Sequence, residues 1–188
     1  WGVVTQVTLR THDLPERFGA VWGKIRASSD EAFRRLIAGF FDFYTKSLFN
    51  PHWGEQVALG TDNSLEISMV CQGLTPDQVR AVWQPFFDWV GLSASEYSFV
   101  DKPGAGSWDA RNCWNVAGNP AMVPDRRPGA PSYHGWWKGD QGQVGAFLYG
   151  YDSVWLPAAL LGTEDRPRLV DALYSSSRHK DVHLHFNK

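Results

Sequence analysis

Two histidines near the end of the chain have the spacing at which side chains can act together in a β-strand. In the run Val182-His183-Leu184-His185-Phe186-Asn187-Lys188, alternate residues share one side of a strand. His183, His185 and Asn187 therefore fall on one face, and the apolar residues on the other. Two imidazoles and an amide so placed can bind a polar substrate or move a proton. They could also bind a metal ion, although no nearby acid or cysteine completes a ligand set, or they could simply be solvated.

A second candidate site lies in the stretch 102–142. Gly, Pro, Asn and Asp are frequent there and regular periodicity is weak, which indicates a long irregular loop with one short strand near 112–116. Its aromatic and imidazole side chains could form a stacking wall for a flat or sugar-like ligand, or anchor the loop to the core. These side chains are Trp114, Tyr133, His134, Trp136 and Trp137.

Composition excludes several classes of protein. The chain of 188 residues fits one domain, and its formal net charge of −2 lacks the basic excess of a nucleic-acid-binding domain. It contains no apolar run of about 18 residues, so no membrane partner is predicted. Cys71 and Cys113 are too few for a disulfide scaffold and form no C-x-x-C pair, and Cys71 is expected to be a buried free thiol. Common nucleotide-binding, hydrolase and metalloprotease motifs are also missing from the sequence.

The elements that must position these residues alternate between hairpins and single helices. Apolar periodicity and capping signals predict helices over 28–49, 75–91, 153–161 and around 169–174. Alternating patterns predict strands over 3–10, 18–25, 55–60, 65–71, 97–101, 144–151 and 181–187. Because this order lacks regular βαβ alternation, we expect an α+β fold, an antiparallel β-sheet with helices packed on one face.

The N-terminal residues carry a resemblance to a known family. Trp1-Gly2-Val3-Val4-Thr5, which continues into Val7-Thr8-Leu9, resembles a junction in the FAD-linked oxidases related to vanillyl-alcohol oxidase and berberine bridge enzyme. In that family, an aromatic residue and Gly-Val/Ile-Val-Thr form the last strand of the FAD-binding domain, before a substrate (cap) domain begins. The rest of the chain resembles that cap domain, an antiparallel sheet with helices on its outer face, in the order and kind of its predicted elements.

The resemblance implies a division of the chain and a set of roles. Residues 1–12 would be the last strand of the FAD-binding domain or a linker, and 13–188 the cap domain of a larger protein. Gly2, Val3 and Val4 would lie along FAD, which the full-length protein binds and this piece alone would not retain. The polar face of the terminal strand would look toward the flavin, with His183 or His185 as the base and Asn187 orienting substrate. Trp114, His134, Trp136 and Trp137 are the further substrate-binding candidates.

The function expected from this resemblance is that of an FAD-dependent oxidoreductase. The full-length protein would oxidise an alcohol, a sugar or a related small molecule by hydride transfer to flavin, and the piece without its FAD-binding domain would be inactive. The expected partners are the substrate and the FAD-binding domain of the same chain, and the expected location is cytoplasmic. Two alternatives stay open: a stand-alone aromatic- or carbohydrate-binding module that uses the Trp-rich loop, and a small metal-dependent enzyme that uses His183 and His185.

Overall fold

The computed structural model describes residues 5–113, 115–140 and 153–186, without the side chains of Glu55, Cys113 and Asp140. Its strands are β1 (Arg17–Ala27), β2 (Trp53–Leu59), β3 (Ser64–Gln72), β4 (Tyr97–Phe99), β5 (Gly104–Asp109), β6 (Met122–Pro124), β7 (Gly135–Trp137) and β8 (Val182–Phe186). Its α-helices are α1 (Asp30–Phe43), α2 (Pro76–Leu92), α3 (Ala110–Cys113) and α4 (Arg166–Ser177). A π-helical turn (Tyr44–Leu48) extends α1, and 3₁₀ turns cover Lys138–Asp140 and Ala158–Leu161.

The main sheet has the order β4-β1-β3-β2-β8, and β5 also pairs with β1. Every pairing within it is antiparallel. A separate two-stranded ribbon is formed by β6 and β7. This architecture confirms the predicted α+β class and its antiparallel sheet.

The short strand β4 and the strand β5 share one edge of β1. Phe99 lies opposite Ile25, whereas Gly104 lies opposite Trp22. Four residues separate Phe99 from Gly104, but only two residues of β1 separate Ile25 from Trp22. The Val100 amide still donates to the Lys24 carbonyl at 2.8 Å within this bulge. Since the excess is two residues, β5 keeps the same alternation of faces as β4.

The core lies between the main sheet and the helices. Alternate residues of the central strands point into it and are fully buried, as Val21 and Ile25 of β1 and Ile67 of β3 show. The helices α1, α2 and α4 supply the opposing apolar surface, with Phe33, Phe40, Trp83, Val90 and Leu173 among their buried residues. Because α1, α2 and α4 all pack on this one face, they leave the other face of the sheet uncovered in the described part of the chain.

Local signals explain where the two long helices begin. The Thr75 hydroxyl accepts from the Gln78 amide, and the Gln78 side chain accepts from the Thr75 amide, so the predicted capping arrangement of α2 is confirmed. Helix α1 begins one residue later than expected. Its cap is Ser29, whose hydroxyl accepts from the Ala32 amide at 3.1 Å.

Three sequence predictions of local structure are wrong in the described part of the chain. Residues 5–10 form no strand and are exposed, because no strand of the described sheet pairs with them. The strand expected near 112–116 is replaced at its start by α3, and the helix expected over 153–161 is reduced to the turn Ala158–Leu161. The strand predicted over 144–151 lies outside the described residues.

Candidate functional site

The candidate site is the side of the main sheet that points away from the helices, here called the open face. Because side chains alternate along a strand, the neighbours of the buried residues point to it. The side chains of β1 that do so are Phe18, Ala20, Trp22 and Lys24, and they are exposed or half-exposed. The open face is thus a solvent-accessible surface laid out by the strand register.

The terminal strand places its two histidines on the open face, as the sequence predicts. His185 lies opposite Gln56 and His183 lies opposite Ala58, and both imidazoles are exposed. The intervening residues Val182, Leu184 and Phe186 pack against the core. Asn187, the third predicted member of this set, lies outside the described residues.

Aromatic packing fixes the end of β8 from the helix side. The Phe186 ring lies 4.3 Å from the Tyr44 ring and 6.1 Å from the Phe40 ring, measured between centroids. Burial of Tyr44 among these rings raises the pKa of its hydroxyl to about 12, so it stays neutral. The histidines are therefore presented to solvent by a strand whose other side is fastened to α1.

A second attachment holds the start of β8. Arg178, at the end of α4, donates to the side chain of Asn63 at 2.6 Å and to the carbonyl of Gly60 at 3.2 Å. The Asp181 carboxylate accepts from the Thr61 amide at 3.2 Å. Both contacts are made to the turn between β2 and β3, so α4 and β8 are tied to the tip of that hairpin.

Two polar rows cross the open face toward these histidines. In the first, Trp22 lies opposite Ser68, Ser68 opposite Gln56, and Gln56 opposite His185. In the second, the corresponding residues are Lys24, Glu66, Ala58 and His183, and Lys24 lies 3.7 Å from Glu66. Directly opposite residues of antiparallel strands are close enough to bind one ligand jointly.

An open depression of about 310 Å³ adjoins the second row at the tip of the hairpin. Its carboxylates already have partners. Asp62 accepts from the Ser64 hydroxyl and contacts Arg26, and these contacts lower the pKa of Asp62. Glu66 lies near Lys24, and Asp181 accepts from the Thr61 amide. Across the described ranges, no three residues of the His, Cys, Asp or Glu types are grouped so that they could hold a metal ion. The described side chains of this face can donate and accept hydrogen bonds.

The aromatic side chains of the Trp-rich loop do not form a single surface. The pairing of Val123 with Trp136 continues to Asp125 and His134, whose backbones bond at 2.9 Å, so these side chains share one side of the β6–β7 ribbon. Trp137 lies opposite Met122 on the other side, and Tyr133 is 78% exposed. Trp114 lies outside the described residues. The ribbon therefore separates Trp137 from His134 and Trp136, which the sequence placed together.

His134 has an acidic partner that sequence reasoning missed. Its Nδ1 donates to the Asp125 carboxylate at 2.8 Å, and Arg127 donates to the same carboxylate from its side chain and its backbone. Arg127 contributes most to holding the pKa of Asp125 well below its usual range. An ionised Asp125 fixes the Nδ1–H tautomer of His134 and leaves Nε2 able to accept a proton.

We expect Asp125→Asn to loosen the β6–β7 ribbon and to leave the main sheet unchanged. The amide would lose the charge-assisted bonds from Arg127 and His134, so backbone exchange at 122, 123, 125 and 134–137 should accelerate roughly three- to tenfold in hydrogen–deuterium exchange. The pKa of Asp125 is lowered in the folded state. The stabilisation from its carboxylate is therefore present above the unfolded-state pKa of about 4, and it is lost as the pH falls through the lower, folded-state pKa.

Asp101→Asn is the matched control, because Asp101 is exposed and lies in the bulge between β4 and β5. Unchanged exchange in the ribbon of Asp125→Asn would contradict a stabilising role of that carboxylate.

Two further open-face residues were not identified from the sequence: Trp22 and Trp108. They are 48% and 46% exposed, respectively, which is high for tryptophans in a sheet. The sequence pattern places Trp22 in the strand predicted over 18–25 and Trp108 in the irregular loop predicted over 102–142. The alternation of Gly104, Gly106 and Trp108 was the available signal, but its glycines concealed β5.

Neither cysteine contributes a described reactive group to this surface. Cys71 is buried on the helix side, as predicted, and burial raises the pKa of its thiol to about 11. A thiol with this pKa stays protonated at neutral pH.

Comparison with known proteins gives no match to this chain among family models, curated proteins or solved structures. Within the described part of the chain, none of the helices combines the length and the apolar character needed to cross a bilayer.

Proposed function

We propose that this chain is the substrate-binding domain of an FAD-dependent oxidoreductase that oxidises an alcohol, a sugar or a related small molecule by hydride transfer to flavin. One observation carries the proposal: two exposed histidines stand on the open face of an antiparallel sheet whose opposite face is covered by helices. This is the arrangement that the resemblance to FAD-linked oxidases implies for the substrate side of the site.

The described side chains fit the substrate side of such a site. His183, His185, Gln56 and Ser68 provide imidazole, amide and hydroxyl groups that can accept from and donate to a substrate hydroxyl. Gly2, Val3 and Val4, which the resemblance assigns to contact with FAD, lie outside the described residues. The division into 1–12 and 13–188, the FAD-binding domain as partner and a cytoplasmic location belong to the proposal.

The role of the chain's own residues is to bind the substrate and to receive a proton. A bound flavin supplies the acceptor for the hydride. A neutral imidazole of His183 or His185 accepts the hydroxyl proton at a ring nitrogen, because general-base catalysis requires a base within hydrogen-bond reach of that proton. The Gln56 amide and the Ser68 hydroxyl orient the substrate in the row that ends at His185.

The visible spectrum of the purified full-length protein tests the proposal. We expect the two absorption bands of an oxidised flavin, and we expect them to bleach when a substrate from a panel of alcohols and sugars is added without oxygen. A colourless protein that gains no flavin bands after incubation with FAD would overturn the proposal.

A further inference from the structure

The connection between α4 and β8 holds the turn of the β2–β3 hairpin by both backbone polar groups of one residue. The Thr61 carbonyl accepts from the Arg178 side chain at 3.2 Å, and the Thr61 amide donates to the Asp181 carboxylate at 3.2 Å. Arg178 also donates to the Gly60 carbonyl and to the Asn63 side chain. The hairpin turn and the start of β8 are therefore joined by side chains as well as by strand pairing.

The guanidinium group of Arg178 is itself held in place from the helix side. Its central carbon lies 4.6 Å from the centre of the Tyr174 ring and 5.3 Å from that of the Phe33 ring. One of its nitrogens lies 3.9 Å from the carboxylate of Asp30, at the start of α1. A planar guanidinium donates in fixed directions and can hold several acceptors at once. Arg178 therefore sets the position of the hairpin turn relative to α1 and α4.

The same turn forms one wall of the depression on the open face. Gly60 and Thr61 of the turn line this depression, together with Asp181, which directly precedes β8. Its volume of about 310 Å³ lies at the lower end of the range for small-molecule sites. The contacts made by Arg178 and Asp181 thus also shape a space in which a ligand can sit.

The depression distinguishes the two histidines of β8. Ala58, which lies opposite His183, is among its described lining residues, whereas Gln56, which lies opposite His185, is not. Because the side chain of Ala58 ends at Cβ, it leaves the surface between His183 and the depression low. A general base must lie within hydrogen-bond reach of the proton that it removes. The position beside the depression therefore favours His183 over His185 as the base.

We propose that His183 is the base of the oxidoreductase site and that Arg178 positions it, by holding the hairpin turn and the start of β8 at a fixed separation. This proposal rests on the proposed oxidoreductase function. The substrate hydroxyl gives its proton to a ring nitrogen of His183 while the hydride on the carbon that bears the hydroxyl passes to the flavin, so a carbonyl group forms. Arg178 contacts neither substrate nor flavin, and acts through Thr61.

Such support matters because β8 is the last strand in the order of the main sheet. Within the described residues, β2 is the one strand that pairs with it. A displacement of about 1 Å at a reacting group can lower a rate by about a hundredfold. A base near the start of such a strand therefore depends on the contacts that fix that end.

Arg178→Lys in the full-length protein tests the proposal, because lysine keeps the charge but lacks the planar group that holds several acceptors. We expect the rate constant for flavin reduction at saturating substrate to fall roughly 10- to 100-fold. The substrate concentration at half saturation should change by less than about threefold, because Arg178 does not bind substrate.

A double-mutant cycle separates positioning of His183 from a general structural role. In a His183→Asn background, Arg178→Lys should lower the rate by less than about twofold, because no base is left to position. In a His185→Asn background, Arg178→Lys should keep its full effect. Additive effects of Arg178→Lys and His183→Asn would overturn the proposal.

Arg168→Lys is the matched control, since Arg168 is exposed on the same helix and should tolerate the same substitution at an unaltered rate. Asp181→Ala serves as a second variant that leaves Arg178 intact. It removes the other contact to Thr61, so it should lower the rate roughly three- to tenfold. An unaltered rate in folded Arg178→Lys and Asp181→Ala would contradict the proposal.

A second measurement does not require flavin. In Arg178→Lys, the imidazole resonances of His183 should shift in the NMR spectrum while those of His134, on the separate ribbon, stay in place. The amides of Val182 and Leu184 should exchange roughly three- to tenfold faster. Unchanged His183 resonances would overturn the positioning role of Arg178. A protein without flavin would contradict the oxidoreductase function and the role of His183 as base, whereas these measurements would still decide whether Arg178 positions His183.

Discussion

Under the proposed oxidoreductase function, replacing both His183 and His185 with Asn is expected to lower the rate of flavin reduction by roughly 10²- to 10⁴-fold, the usual contribution of a general base. The double variant removes the two exposed imidazoles of the open face, so neither can substitute for the other. The measurement is the rate constant for anaerobic reduction of the flavin by saturating substrate in the full-length protein. Because both side chains are exposed, the free energy of unfolding should change by less than about 1 kcal/mol.

His179→Asn is the control for this experiment, because His179 is exposed and follows α4, outside the sheet. It should reduce the flavin at the unaltered rate. The single variants then assign the base: one of them should reproduce most of the loss seen in the double variant. A double variant that binds flavin and retains its rate within about threefold would show that neither imidazole is the base.

Phe40→Ala is expected to destabilise the protein by about 3–5 kcal/mol, as is typical for removal of a large buried aromatic side chain. Phe40 is 1% exposed, and its ring lies 6.0 Å from that of Phe86 and 6.1 Å from that of Phe186. It therefore joins α1, α2 and β8 at one point of the core. Equilibrium unfolding in guanidinium chloride, followed by circular dichroism, measures the change.

Leu92→Ala is a suitable control, because Leu92 ends α2 and is 88% exposed. Its free energy of unfolding should stay within about 0.5 kcal/mol of the original value. A similar small change in Phe40→Ala would contradict the position of Phe40 at the junction of the three elements.

Local sequence signals were sufficient to predict the elements that are specified by caps, turns and alternating residues within a short stretch of chain. The Thr75–Gln78 capping box and the alternating strands around Asn63 predicted α2 and the β2–β3 hairpin. Asn63 adopts a φ of 60°, a left-handed conformation that asparagine tolerates better than most residues. The alternation in β8 likewise predicted which face carries His183 and His185, since a period of two follows from the backbone alone.

The remaining errors have a common physical origin in tertiary context. Residues 5–10 alternate like a strand, but a strand also requires a partner for its backbone groups. In contrast, β5 forms despite Gly104 and Gly106 because β1 pairs with it and an indole covers each glycine. Neither result is encoded within a short window of sequence.

The aromatic loop shows the same limit at the level of the site. His134 and Trp136 share one side of a ribbon, but the position of Asp125 opposite His134 depends on strand register. Register depends on which residues pair across the turn, and composition does not reveal it. The sequence therefore identified His134 but not the carboxylate that selects its tautomer.

The position of β8 has a consequence for the order in which the protein folds. β8 follows all other described elements in the chain, yet it pairs with β2, which lies in the first third of the sequence. The hairpin of β2 and β3 can form from local contacts, whereas closing the long loop to β8 costs chain entropy before any bond is gained. During synthesis, we therefore expect the central strands to assemble first and the histidines to reach the open face in a late step. A folding intermediate would then carry the Trp22 end of the surface without its imidazole end.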